Sequence, residues 1–168
     1  MTTPHTPSTC QGNWAFANSL GLLVLRLVLG GIFIYHGAQK LFGAFGGMGM
    51  NADHGFIAII SGLHLPLLPG AAWAWMAACG EFFGGLFVFL GLLTRLAAIP
   101  IIVTMLVAIT SVTGSKGFSG YEFNLALIAM SVALILSGAG LISLDALLFK
   151  RSLWSRGPQP LDQPSPRP

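Results

Sequence analysis

Arg26, His36 and Lys40 in "RLVLGGIFIYHGAQK", Glu81 in "CGEFFGGLFVFL" and Glu122 in "GYEFNLALI" each interrupt an apolar run. A carboxylate, an imidazole and an ammonium in such surroundings can relay protons or hydrogen-bond a small ligand such as a quinone, with His36 as the group that titrates near neutral pH. The same residues also fit purely structural roles. An Arg26–Glu81 ion pair would hold two helices in register, Arg26 alone would snorkel to headgroups, Lys40 would anchor at an interface, and Glu122 would sit favourably in a helix's first turn. These residues are candidates for a ligand site or a proton relay.

The elements that must position them follow from composition. Of 168 residues, 54% are apolar and 8% charged, whereas a soluble domain carries about a quarter charged residues. A chain this short cannot bury so much apolar surface in one core, so a lipid bilayer must cover the rest. The net charge of +3 comes from few, scattered basic residues. They serve to orient the chain in a membrane and give no sign of a nucleic-acid partner.

A span needs roughly 20 mainly apolar residues, and four segments qualify: about 19–42, 70–93, 96–112 and 122–142. The expected fold is an all-α integral membrane four-helix bundle, with Pro100 in the first turn or so of the third span. The turn "LTRL" is so short that the second and third spans must be antiparallel neighbours. Residues 1–18 form an N-terminal tail and 19–149 the membrane domain. The Pro-rich residues 150–168 are expected to be disordered, after an amphipathic "SLDALLF" that lies along the interface. Lys150, Arg151, Arg156, Arg167 and Arg95 outweigh Lys40 and Lys116 on the opposite side, which places both termini in the cytoplasm and residues 43–69 outside. "AFANS" precedes the first apolar run and lacks a basic region before it, so the first span is expected to remain uncleaved.

Depth along the spans suggests partners. At 1.5 Å per residue, Glu81 lies roughly 16 Å into its helix from the outer end and Arg26 about 10 Å in from the cytoplasmic end. Arg26, Phe33, His36, Gly37 and Lys40 share one arc of the first span, and Gly84 and Gly85 flank Glu81. Arg26 and Glu81 are therefore expected to face each other. His36, Lys40 and Glu122, with His54 or His64, would gather at the outer level, without the tight spacing of a metal site. Asp145 is expected to pair with Arg95 or cap the interfacial helix. Cys10 and Cys79 lie far apart and no C-x-x-C occurs, which excludes dithiol chemistry by the chain itself. No nucleotide fingerprint, phosphate loop or nucleophile elbow is present.

"RLVLGGIFIYHGAQKLFG", "GEFFGGLFVFLGLLTRLAA", "GYEFNLALI" and "SGAGLISLDALL", in that order, resemble the DoxX family over about residues 20–149. One departure is "G-A-G" at 138–140, where the family usually has "G-P-G". The resemblance implies a small four-helix protein of the bacterial inner membrane. It also implies a link to membrane redox, as a subunit of a quinone-linked oxidoreductase or of an oxidative-stress or sulfur-metabolism complex with protein partners. A quinone is then the cofactor to look for. A non-catalytic membrane anchor or assembly factor, homo-oligomeric or not, is the alternative, and a small-solute or proton pathway a second one.

Overall fold

The computed structural model describes residues 9–153, and no strand occurs among them. α1 spans Thr9–Phe42, α2 Phe56–Gly62, α3 Gly70–Leu90, α4 Thr94–Ala108, α5 Phe118–Ser137 and α6 Leu144–Leu153. The stretches Phe16–Phe42, Gly70–Leu90, Thr94–Lys116 and Phe118–Ser137 are long and apolar enough to cross a membrane. The protein is thus an all-α multi-pass membrane protein. Helix α1 begins well before residue 19, and α6 extends through residues 150–153. The remainder of the tail expected to be disordered, 154–168, lies outside the described residues.

Small residues set how the helices meet. α1 packs most extensively on α3, and the two run antiparallel: Gly30 lies against Phe89 and Gly85, and Gly37 against Phe82. A Cβ added at Gly30, Gly37 or Gly85 would stand 2.6–2.8 Å from atoms of the facing helix. Because lipid chains are as apolar as leucine, such close packing, more than hydrophobic exclusion from water, is what holds membrane helices together. A second glycine face of α3, Gly80 and Gly84, meets Pro100 and Ala97 of α4. Leu29, Phe33, Val88, Ile101 and Leu134 fill the core between these helices. Large side chains such as Leu96 and Leu136 remain 62% and 75% exposed, on surface that lipid would cover.

Pro100 is the seventh residue of α4, deeper than the sequence suggests. Its missing N–H leaves the carbonyl one turn earlier without its usual donor, and the absence of a side chain at Gly80 makes room for the ring. The helix ends irregularly, in a π-turn at Ile109–Thr113 and a 3-10 turn at Gly114–Lys116. Residues between α1 and α3 are packed too: Phe56 and Ile60 of α2 bury against Ala74 and Ala78 of α3.

Candidate functional site

The ion pair in the bundle joins Lys40 to Glu81, not Arg26 to Glu81. Lys40 Nζ lies 2.5 Å from Glu81 Oε2, with Glu81 only 1% exposed and Lys40 26%. Lys40 also stands 5.0 Å from the centre of the Phe56 ring, a cation–π contact. It is therefore more than the interface anchor it resembles in sequence. The glycine contacts explain the exchange of partners: with Gly37 against Phe82, Glu81 falls beside the last turns of α1, while Arg26 lies beyond Phe89, near the other end of α3. Span ends alone could not reveal that offset.

Arg26 is 1% exposed and donates to the carbonyl of Ile142. Gly91, left-handed at φ 69°, ends α3 with Gly91 N–H to Val88 O at 3.1 Å and Leu92 N–H to Phe87 O at 2.9 Å. Its bare Cα is what admits the guanidinium, since a Cβ there would overlap Arg26. Asp145 completes this end. Its carboxylate accepts from the Leu93 and Thr94 N–H groups at 2.8 and 3.2 Å, the free donors at the start of α4, and its own N–H donates to Gly91 O at 2.9 Å. The expected Arg95–Asp145 pair does not form among the described residues, because the α4 terminus takes the carboxylate and Arg95 instead reaches Leu136 O at 3.5 Å. Asp145 caps α4, while Ser143 Oγ caps α6 by accepting from Ala146 N–H at 3.0 Å.

At the other end, Lys40 and Glu81 line a chamber of about 550 Å³ between α1, α2, α3, α4 and α5. Its walls are mainly apolar, with Phe33, Phe56, Ile60 and Leu127 among them, and polar groups are few. Glu81 Oε1 is buried and has no hydrogen-bond partner among the described residues. An ionised carboxylate only accepts hydrogen bonds, so this oxygen lacks the donor that its burial calls for. Cavities of this size and character, apolar with a few convergent polar groups, are typical of small-molecule sites.

The remaining candidates scatter. His36 lines the chamber but is exposed, with Nδ1 3.1 Å from Gln39 Oε1. Glu122 is exposed, lies beyond the first turn of α5, and is not among the chamber's lining residues. His54 and His64 are exposed as well, the latter bonded to Gly62 O at 2.9 Å. Of the expected outer cluster, His36 and Lys40 line the chamber, whereas Glu122, His54 and His64 do not. Sequence reasoning missed Gln39, Thr104 and Asn124, which line the chamber. Asn124 offered a signal, as an amide within an apolar run.

The arrangement defines a multi-pass helical membrane protein with a buried ion pair beside a ligand-sized chamber. The DoxX family profile matches residues 21–114. A Bacillus subtilis (strain 168) protein named "Putative oxidoreductase CatD" is 34% identical over 132 residues, covering 78% of this chain and 89% of the relative. No solved structure matches. The chain belongs to the DoxX family.

Proposed function

We propose that the chain is the quinone-binding membrane subunit of a redox system, in which a partner protein carries the electron-transferring centre. The observation that carries this reading is Glu81, which lines an apolar chamber and whose buried Oε1 has no donor among the described residues. A hydroquinone supplies what is missing: one hydroxyl donates to Oε1, and its oxygen accepts from a remaining Lys40 proton. The oxidised quinone has only carbonyls and cannot donate, so the site favours the reduced form. The oxidoreductase name of the relative agrees with this role. In the proposed setting the chain lies in the bacterial inner membrane with both termini cytoplasmic, and the chamber opens towards the outer face.

The test uses the full chain in nanodiscs with durohydroquinone and its oxidised form. The reduced probe should bind more tightly, and Glu81→Gln should remove that preference. Equal binding of both forms, or binding untouched by Glu81→Gln, would refute the proposal. The contacts tying Lys40 to Glu81 and Arg26 to Ile142, 41 and 116 positions apart, favour a second reading as a non-catalytic anchor. On that reading neither probe binds.

A further inference from the structure

A second cavity, of about 280 Å³, lies between α3, α4 and the segment before α3. It is lined almost wholly by apolar side chains. Ile60, Ala77, Thr104 and Val107 line both this groove and the chamber, so the two adjoin. The groove's rim includes Met76, Ile99 and Val103, which are 57%, 49% and 50% exposed. All three stand on segments long and apolar enough to cross a membrane. The rim therefore faces the surface that lipid covers, and the buried charges lie on the far side of the shared wall.

We infer that chamber and groove form one bipartite site for an amphipathic ligand, its hydroxylated head at Lys40–Glu81 and its hydrocarbon chain in the groove between α3 and α4. This rests on the proposed hydroquinone reading and adds where the chain runs and where the ligand enters. The chain is assigned to the groove because groove and chamber share Ile60, Ala77, Thr104 and Val107. A head bound at Glu81 needs an apolar outlet for its chain, and the groove lies just past the side chains that both cavities share, which must part to admit it. Entry is lateral, from the bilayer, between Met76 on α3 and Val103 on α4. Hydrocarbon moving from lipid into the groove gains little from leaving its apolar surroundings. The head supplies the affinity, and the groove selects which way the chain leaves.

The experiment uses the full chain in nanodiscs and a decylubiquinol analogue with a diazirine at the end of its decyl chain. Photolysis followed by peptide mass spectrometry should place adducts on Trp73, Met76, Ile99 or Val103. Excess durohydroquinone, which has no chain, should suppress them, as should Glu81→Gln. Val103→Trp should weaken the chain-bearing ligand about tenfold by overfilling the groove, yet change durohydroquinone binding less than about twofold. Adducts on Phe123 or other α5 residues, still suppressed by durohydroquinone and by Glu81→Gln, would overturn the groove while leaving the head site intact. Labelling indifferent to both would overturn the head site, and the bipartite site with it.

Discussion

The Arg26 guanidinium occupies the space that a side chain at Gly91 would fill, so one glycine both ends α3 and seats a buried cation. Gly91→Ala should cost about 2 kcal/mol or more, combining left-handed backbone strain with displacement of Arg26. The loss should appear as a lower melting temperature and a smaller monodisperse fraction in detergent. In an Arg26→Ala background the same substitution should cost clearly less. Additive losses would mean that the two residues do not share that space.

Lys40 and Glu81 should behave as a pair. Removing the ammonium in Lys40→Met leaves a buried carboxylate alone, at a cost of about 3 kcal/mol, reduced to the extent that water reaches the 26% exposed lysine. Glu81→Gln should be milder, since an amide is cheaper to bury than a charge. The double variant Lys40→Met/Glu81→Gln should recover part of the stability lost in Lys40→Met. A thermal-unfolding cycle in one detergent measures the coupling, and a zero coupling energy would contradict the pairing.

Asp145→Ala should free the Leu93 and Thr94 N–H groups and cost about 1 kcal/mol, the usual loss for a helix cap. Hydrogen exchange at those two amides should rise, whereas amides in the middle of α4 should stay protected. Asp145→Asn keeps one acceptor and should show a smaller effect.

His36→Ala bears on function more than on stability. The side chain is exposed and bonds only locally to Gln39, so melting should shift by no more than about 0.5 kcal/mol. Because His36 lines the chamber, its loss should weaken hydroquinone binding. Unchanged binding would leave His36 outside the site.

Orientation is open to labelling in intact cells. In a cysteine-free background, a cysteine at Ala52 should react with an impermeant reagent, while one at Ser155 should react only after lysis. The reverse pattern would invert the proposed topology.

Membrane residence and the number of spanning-length helices were legible from composition and from apolar runs of spanning length, because backbone hydrogen bonds cannot be left open in lipid and each such run must close its own as a helix. Arg26, Lys40 and Glu81 stood out in the sequence too, as charges in apolar surroundings. Their partners were not. Hydropathy locates a span only to within a turn or two and says nothing about how far one helix slides along another. That slide is decided by where backbones can approach, Gly37 against Phe82 and Gly30 against Phe89. It carries Glu81 to Lys40 and leaves Arg26 to Gly91 and Ile142. Asp145 likewise had two readings in sequence, a pair with Arg95 or a cap on the interfacial helix, and only the fold brings the start of α6 onto the turn between α3 and α4. The chamber belongs wholly to tertiary structure, because its walls come from five helices and no local pattern of residues encodes a cavity between them.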